Sequence, residues 1–334
     1  MNSISSISPH YAVSANQSGH SVGKWLRALY RFTRPESTLG SVVMSAAICV
    51  ALLPVIPHEF VLFTKMAAWI LAVALWTIAG HGINQIYDLP VDRINKPDFP
   101  LPSGVMTVAQ AWTVSLTTGV VGSFLAWWIM PLWLALSFVG FMTWATVAYS
   151  IPRFGSQKIR QSPWLTKLFG LSARGVIFPT IGFLTASGLM SPLHQGWVYL
   201  GFILTFAVLF CVGMNTFEDI PDMRGDREGG YRSFALALGA TKTAFICLSA
   251  FVAAFLGLAI WLLTFPHLFH LEIGFMIETS ILIVFVGKFM HLLRSELQPD
   301  GDGAKPFYAF LWRLYAVQYL ALIVIFAPTP LAQL

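Results

Sequence analysis

The sequence predicts an all-α, polytopic membrane protein with nine transmembrane helices, and two observations support this prediction. Of the 334 residues, 56% are hydrophobic and only 10% are charged, whereas about 25% of an ordinary soluble domain is charged. The chain also contains nine apolar segments of about 20 residues, the length that a helix needs to cross a hydrocarbon core of about 30 Å. Chain length alone would suggest two soluble domains, but the apolar segments override that expectation.

The predicted spans follow one another with short polar connections. We expect them near residues 37–56, 64–88, 107–129, 132–150, 164–187, 195–218, 241–264, 272–293 and 307–327. Met130, Pro131 and their neighbours separate the third span from the fourth, so a tight turn is expected there. Residues 1–21 are rich in serine and lack the apolar core of a secretory signal, so we expect a disordered cytoplasmic tail, with a short targeting peptide as the alternative. Residues 22–334 would then form a single transmembrane domain.

Lysine and arginine residues predict the orientation of the spans. With a cytoplasmic N-terminus, 17 of the 20 basic residues fall in cytoplasmic segments, all except Lys65, Arg174 and Arg313. Nine spans then place the C-terminus on the opposite side. The net charge of +5 therefore reflects membrane topology, and the expected surroundings are a lipid bilayer. The basic residues form no single patch and resemble no nucleic-acid module, so we expect no nucleic-acid partner.

A cluster of polar side chains ends the second predicted span. Asn84, Asp88 and Asp92 are spaced four residues apart, so a continuing helix would place them on one face. Carboxylate and amide oxygens are ligands that Mg²⁺ prefers, in combination with the phosphates of a substrate. The alternative explanation is that these charges are solvated and only mark the end of a membrane helix.

A second cluster follows the sixth predicted span. Asn215 and Asp219 repeat the four-residue spacing of the first cluster, and Asp222 and Asp226 follow them. In both clusters an aspartate, an aliphatic residue and a proline occur in that order, and each proline should kink or end its helix beside the carboxylates. The repetition favours a shared function. It also suggests an architecture of two four-helix repeats plus a ninth helix.

These residues resemble a known family. The segments Asn84-Gln-x-x-Asp88-x-x-x-Asp92 and Asp222-x-x-x-Asp226 are similar to the two aspartate-rich motifs of the UbiA superfamily of intramembrane prenyltransferases. Further pieces resemble its homogentisate prenyltransferase branch and extend the resemblance over about residues 28–320: Arg31-Phe-Thr-Arg-Pro35, Ile94-Asn-Lys-Pro-Asp98, Tyr149-Ser-Ile-Pro, Arg174-Gly175, Asp219-Ile-Pro-Asp222 and Phe307-Tyr-x-Phe-x-Trp-Arg-Leu314. The paired acidic motifs are specific, whereas the shorter pieces carry little weight alone.

The resemblance implies a UbiA-like bundle around a central cavity, with Mg²⁺ and a prenyl diphosphate at its cytoplasmic mouth. The implied metal ligands are Asn84, Asp88, Asp92, Asp219, Asp222 and Asp226. Among them, Asp88, Asp92, Asp222 and Asp226 are the expected catalytic residues. A bound metal neutralises the charge that grows on the diphosphate as the allylic C–O bond breaks. The expected diphosphate contacts are Asn84, Arg93, Lys96, Tyr149, Arg153, Lys158, Arg174 and Arg227.

The basic residues have alternative explanations. The positive-inside bias alone accounts for Lys158 and Arg160 as readily as substrate binding does. Arg174 differs, because it lies about 15 Å into the bilayer, where a charge normally faces a cavity or a partner. Glu278 is the intramembrane acid that would pair with it, but we expect Arg174 to face the cavity. His81 is expected to make a hydrogen bond in helix packing rather than to bind a metal.

The expected reaction is the transfer of a prenyl group to an electron-rich, lipophilic or aromatic acceptor. Three departures from the homogentisate branch concern the acceptor: Glu218 replaces a usual lysine, Glu36 a frequent histidine and Gln318 a frequent glutamate. A membrane terpene cyclase is the alternative, because it needs the same ionisation step but no acceptor. A secondary transporter fits less well, because its acids would be expected near the bilayer midplane.

Overall fold

The computed structural model describes residues 22–52, 60–187 and 196–326, and all regular structure within these ranges is helical. In chain order the helices are α1 (Val22–Phe32), α2 (Pro35–Leu52), α3 (Phe60–Tyr87), α4 (Leu89–Asn95), α5 (Val108–Ile129), α6 (Leu132–Ser150), α7 (Ser156–Arg160), α8 (Pro163–Leu171), α9 (Phe178–Ser187), α10 (Gly196–Phe217), α11 (Met223–Glu228), α12 (Phe234–Leu238), α13 (Ala240–Thr264), α14 (Leu271–His291) and α15 (Ala304–Phe326). The predicted tail, residues 1–21, lies outside the described residues, as does the C-terminus.

The prediction of an all-α membrane bundle is confirmed. Eight helical segments of the described chain are long and apolar enough to cross a membrane, and they correspond to eight of the nine predicted spans. The remaining predicted span, 37–56, is α2, whose apolar part Pro35–Val50 is shorter than the others. A π-helical turn at Ser172–Ile177 joins α8 to α9 within one span.

Aromatic rings fill the centre of the bundle around α10. Phe202, Phe206 and Phe210 are fully buried, and their four-residue spacing places them on one helix face. The ring of Phe210 lies 4.8 Å from that of Phe251 in α13 and 5.5 Å from that of Tyr315 in α15. The centre of the bundle around α10 is therefore an apolar core.

Each acidic segment lies at a break between a long helix and a short one. Asp88 separates α3 from α4, and Pro90 occupies the first turn of α4. Asp222 precedes α11 and directly follows Pro221. Proline is tolerated in a first helical turn, where its missing N–H leaves no bond unmade, so it favours a new helix start. The predicted effect of the two prolines on the helices is confirmed.

Asn95 joins the two acidic segments. Its side-chain amide donates to the carbonyl of Asp222 at 3.1 Å, and its Oδ1 accepts from the backbone N–H of Gly225 at 2.8 Å. A Cβ atom on Gly225 would lie only 2.5 Å from Asn95 Nδ2, so glycine is required for this close approach. Helices α4 and α11 are thereby fixed against each other, and their carboxylates face one cavity.

Candidate active site

Three adjoining cavities open at the end of the bundle that carries α4 and α11. The apolar cavity, about 180 Å³, has a wall that includes the apolar side chains of Trp76, Met142, Ala145, Phe169 and Phe178. The acidic cavity, about 100 Å³, contains the aspartates Asp88, Asp92, Asp219, Asp222 and Asp226. The wide cavity, about 600 Å³, has a wall that includes Arg31, Phe99, Lys305, Tyr308 and Trp312.

Arg34 and Glu218 line all three cavities, so the cavities meet at these two side chains. Arg34 directly precedes α2 and has a φ angle of 48°, a left-handed conformation that is uncommon for a residue other than glycine. Its backbone carbonyl accepts the N–H of Thr38 at 3.0 Å, which fixes the start of α2. Glu218 directly follows the last residue of α10.

Arg160 holds the first aspartate of the acidic cavity. Its guanidinium forms an ion pair with Asp88 and donates a hydrogen bond to the hydroxyl of Tyr231 at 2.9 Å. It also lies over the ring of Tyr231 at 4.9 Å and over that of Tyr149 at 5.6 Å. The other oxygen of Asp88 accepts a hydrogen bond from the amide of Asn84 at 2.8 Å. Both carboxylate oxygens of Asp88 are therefore occupied.

Two lysines hold three further aspartates. Lys96 Nζ lies 3.5 Å from Asp92 Oδ1 and 3.0 Å from Asp222 Oδ2, so it bridges the two acidic segments. Lys167 Nζ lies 2.5 Å from Asp219 Oδ1. Because these ion pairs are largely buried, water screens them less than it would screen surface pairs. The carboxylates of the acidic cavity are thus neutralised mainly by the protein's own lysine and arginine side chains.

Burial and charge change the protonation of the remaining acids. Burial and the neighbouring carboxylates, chiefly that of Asp222, raise the pKa of Asp226 to about 7. Burial alone would also raise the pKa of Glu218, but the positive charges of Lys96 and Arg34 outweigh burial and lower that pKa. Glu218 is therefore ionised at neutral pH, whereas Asp226 exchanges its proton near neutrality.

Unpaired donors surround the place where the apolar and acidic cavities meet. The Nε of Arg34, the Nε and Nη2 of Arg160 and the amide nitrogen of Asn215 are buried and have no hydrogen-bond partner among the described residues. A buried donor without a partner is destabilising. An anion with several oxygens, such as a diphosphate, offers the acceptors that these groups lack.

The donor set of the acidic cavity fits a hard cation. Carboxylate and amide oxygens from two facing segments are the ligands that Mg²⁺ binds in proteins. Among the described residues, however, no three acidic, histidine or cysteine side chains are grouped closely enough to hold a metal in this arrangement. The intervening lysines and Arg160 keep the carboxylates apart, so a metal could bind only if these basic groups release them.

The structure brings most of the predicted site residues to the cavities. All six predicted metal ligands line them, as do four of the eight predicted diphosphate contacts: Asn84, Lys96, Tyr149 and Arg174. The predicted contacts Arg93, Arg153, Lys158 and Arg227 are instead exposed and line none of the three cavities. Arg93 and Arg227 directly follow an aspartate of the site, and neighbouring helical residues point about 100° apart. Arg153 lies on a short turn outside α6, and the guanidinium over the ring of Tyr149 is that of Arg160.

Arg174 faces the cavities, as the sequence predicted. Its Nη2 lies 2.6 Å from Ser37 Oγ and 2.6 Å from His81 Nε2, and its guanidinium lies 5.0 Å from the ring centre of Trp312. The π-helical turn at Ser172–Ile177 carries this side chain, and such turns are frequent at functional sites. His81 makes the expected hydrogen bonds between helices. Glu278 is not the partner of Arg174.

Four residues of the site were not among the predicted ones: Arg34, Arg160, Lys167 and Tyr231. For Arg160 the sequence leaves membrane topology and substrate binding as equal alternatives, and it offers no signal that separates Arg160 from the two exposed bases of the same loop. Lys167 falls near the start of a span, where a basic residue is ordinary. Only the folding of α7 and α8 over the acidic cavity selects these two side chains.

Comparisons with known proteins bear on the family and the fold of the chain. The chain matches the UbiA prenyltransferase family over residues 38–314. Homogentisate phytyltransferase from Synechocystis sp. is 31% identical over 314 residues, which cover 88% of this chain and 94% of that protein. The chloroplastic 2-acylphloroglucinol 4-prenyltransferase from Humulus lupulus is 26% identical, covering 91% of this chain and 73% of that protein. The solved structure of a UbiA homolog from Archaeoglobus fulgidus bound to GPP and Mg²⁺ has a TM-score of 0.60 at 17% identity, covering 90% of this chain and 100% of that one.

Proposed function

The chain belongs to the UbiA prenyltransferase family, and from this premise we propose that it transfers a prenyl group from a prenyl diphosphate to an electron-rich aromatic acceptor, with Mg²⁺ as cofactor. The main support is that the acidic cavity, whose groups suit a metal-bound diphosphate, adjoins the apolar cavity, which suits an isoprenoid chain. Six residues line both cavities: Arg34, Asn84, Tyr149, Thr166, Lys167 and Glu218. The bond that breaks would lie at this boundary.

The proposed metal ligands are the two acidic segments. Asn84, Asp88 and Asp92 would act from the α3–α4 side, with Asp219, Asp222 and Asp226 from the α10–α11 side. When bound, Mg²⁺ would neutralise the charge that develops on the leaving diphosphate. The solved relative with GPP and Mg²⁺ supports this assignment by its fold and its bound groups.

The basic side chains of the chain would hold the diphosphate. Arg160 lines the acidic cavity, and its Nε and Nη2 atoms have no partner among the described residues. Lys96 and Lys167 can exchange their carboxylate partners for the phosphate oxygens of the substrate. Arginine suits this role because its planar fork binds two oxygens at once. These groups are oriented by the carboxylates that they contact, so little reorganisation is needed when the negative charge shifts to the leaving group.

The apolar cavity would hold the prenyl chain and keep water from the allylic cation. Trp76, Phe169 and Phe178 contribute ring surfaces to its wall. Ring faces attract positive charge by their quadrupole, and a dry pocket prevents capture of the cation by water. Both effects favour a reaction with the intended acceptor over hydrolysis.

The activities for which the relatives are named favour prenyl transfer over cyclisation. Those reported above are named for transfer to homogentisate or a 2-acylphloroglucinol, both hydroxylated aromatic compounds. Cyclisation needs no second site, whereas this chain has a wide cavity beside the place where the acidic and apolar cavities meet. No observation favours the cyclase that the sequence left open.

The proposed orientation places the three cavities on the cytoplasmic side. The loops at this end of the bundle carry exposed bases that no cavity uses: Arg93, Arg153, Lys158, Arg224 and Arg227. Such a concentration of basic residues in short loops is typical of the cytoplasmic side of a membrane protein.

One assay tests the proposed function. Purified protein in detergent is incubated with Mg²⁺ and prenyl diphosphates of graded length, with and without an aromatic acceptor, and both diphosphate release and products are measured. We expect turnover that requires the acceptor and ends when Mg²⁺ is chelated. Rapid diphosphate release without an acceptor, with a cyclic hydrocarbon or alcohol as the product, would instead establish a cyclase.

A further inference from the structure

We propose that the wide cavity is the acceptor site and that Glu218, together with Arg34, selects an acceptor presenting a hydroxyl group rather than a carboxylate at the reacting end. This inference rests on the proposed prenyl transfer and names the class of its second substrate: a neutral, hydroxylated aromatic compound.

The wide cavity has the size and surfaces of a site for such a compound. Its volume of about 600 Å³ lies within the range of about 300–1,000 Å³ that is usual for small-molecule pockets. Phe99, Tyr308 and Trp312 contribute aromatic rings to the wall, against which a planar acceptor can stack. The side chains of the apolar cavity that suit a prenyl chain do not line this space, so both substrates can bind together.

The position of the reaction follows from how the cavities meet. The breaking C–O bond must lie between the acidic and apolar cavities, because its oxygen belongs to the diphosphate and its carbon to the prenyl chain. Arg34 and Glu218 line both of these cavities and the wide cavity as well. An acceptor in the wide cavity can therefore reach the allylic carbon beside these two side chains, and Arg174 and His81 are the other residues that line both the apolar and the wide cavities.

Glu218 lacks the partners that the neighbouring acid has. Asp219 is held by Lys167 at 2.5 Å and by the backbone N–H of Phe234 at 3.0 Å. The carboxylate of Glu218 makes no hydrogen bond or ion pair within the described part of the chain, although several positive charges surround it. A largely desolvated carboxylate without a donor is unfavourable, so this position requires a hydrogen-bond donor from a bound molecule.

Arg34 supplies the complementary group. Its Nε–H is buried and has no acceptor among the described residues. Its backbone has a positive φ angle of 48°, which is uncommon for an arginine. Residues with such rare backbone conformations are concentrated at functional sites. A hydroxyl group can accept from Arg34 and donate to Glu218 at the same time. A carboxylate can only accept, and it would place a second negative charge beside Glu218.

Each of the other bases of the wide cavity already has a partner: Lys96 pairs with the carboxylates of Asp92 and Asp222, and the rest have neutral partners. Lys305 Nζ donates to the backbone carbonyl of Asn95 at 2.8 Å, and the guanidinium of Arg31 lies over the ring of Phe99 at 5.5 Å. Arg174 is held by the hydrogen bonds described above. The unmet requirements of the cavity are therefore concentrated at Arg34 and Glu218, and a hydroxyl group meets both.

The first experiment compares two acceptors that differ in one group. Homogentisate and 2-methylhydroquinone share two ring hydroxyls, but the first carries a carboxymethyl group where the second carries a methyl. We expect the wild-type kcat/KM to favour 2-methylhydroquinone by about tenfold or more, because the carboxylate of homogentisate would be repelled by the negative charge of Glu218. Glu218→Gln should reduce this ratio towards one, and Glu218→Lys should reverse it. A ratio that favours homogentisate, or that is the same in Glu218→Gln, would overturn the proposal.

This comparison separates the two conclusions. If no prenylated product forms from either acceptor under any condition, the proposed function fails. If both acceptors are prenylated but Glu218 does not affect their ratio, only the selection by Glu218 fails. The ratio is informative because a merely structural loss would lower kcat/KM for both acceptors equally.

The second experiment locates the acceptor by filling one cavity at a time. Ala309 lines the wide cavity alone and Ala145 the apolar cavity alone. Ala309→Phe should raise KM for the acceptor about tenfold and leave KM for the prenyl diphosphate unchanged, whereas Ala145→Phe should do the opposite. If Ala309→Phe instead raises KM for the prenyl diphosphate, the wide cavity holds the prenyl chain. Ala309→Leu, a smaller change, provides the same test if the phenylalanine variant does not fold.

Discussion

Replacing Arg160 with glutamine should lower kcat/KM for the prenyl diphosphate by about a hundredfold. In the substrate-free site Arg160 binds Asp88 and Tyr231, and two of its N–H groups have no partner. A hydrogen bond from a charged group contributes about 1.5–3 kcal/mol, and each 1.4 kcal/mol changes a rate about tenfold. Two such bonds to the diphosphate give about 3 kcal/mol at the lower end of this range, which corresponds to about a hundredfold.

Stability should change less than activity in this variant. Burial raises the pKa of Asp88, and the positive charge of Arg160 partly opposes this effect. The Arg160→Gln variant lacks that opposing charge. The pKa of Asp88 then rises further, which favours its protonation over a buried, unpaired charge. We therefore expect a cost of about 1–2 kcal/mol in the free energy of unfolding, below the 3–5 kcal/mol that is typical when a fully buried pair is broken.

Arg153→Gln is the matched control, because Arg153 belongs to the same loop but is exposed. The measurement is kcat/KM for the prenyl diphosphate at saturating Mg²⁺ and acceptor, with thermal unfolding to confirm folding. We expect Arg153→Gln to remain within about twofold of wild type, in keeping with the small effects of exposed charges. The reasoning is refuted if both variants lose activity equally, or if Arg160→Gln is almost fully active.

Three further predictions concern the metal, the membrane and pH. Asp88→Ala and Asp222→Ala should each abolish turnover while the protein still folds, and chelation of Mg²⁺ should have the same effect; full activity in any of these conditions would exclude the acidic cavity as the metal site. Single cysteines at the exposed positions Asp98 and His267 should be labelled from opposite faces of the membrane, Asp98 from the cytoplasmic side; the three native cysteines are buried, and labelling of both positions from one face would contradict the topology. Burial and nearby carboxylates raise the pKa of Asp226 to about 7, and a metal ligand must be deprotonated. The Mg²⁺ concentration for half-maximal activity should therefore fall as pH rises through about 7. Asp226→Asn should remove most of this pH dependence.

The sequence predicts the spans well, because the length of an apolar segment depends on membrane thickness and not on tertiary contacts. The predicted span 132–150 has the bounds of α6, and the predicted span 164–187 ends where α9 ends. The short α2 is the exception. Helix α2 ends at Leu52, and the last residues of the predicted span 37–56 lie outside the described ranges.

The acidic half of the site is also predictable, because its spacing repeats and because a proline follows the first aspartate of each segment. The basic half is not. Arg153, Lys158 and Arg160 belong to one loop and have similar chemistry, but only Arg160 is buried against Asp88. Their difference depends on how α7 folds over the cavity, which no local pattern encodes. Lys167 and Tyr231 reach the site through similar long-range packing.

The ion pairs of the acidic cavity make substrate binding an exchange of partners. Five basic side chains and six carboxylates line this cavity, so its charge is nearly balanced without any ligand. A metal ion alone would leave the lysines without their carboxylates, and a diphosphate alone would leave the carboxylates without their lysines. In either case, charged side chains would be left buried without a partner of opposite charge, which is strongly unfavourable. In the proposed function, the cation and the diphosphate therefore bind cooperatively, and each increases the affinity of the protein for the other. Because the two ligands bring charges of opposite sign, their joint binding should depend less on salt concentration than the binding of an anion alone.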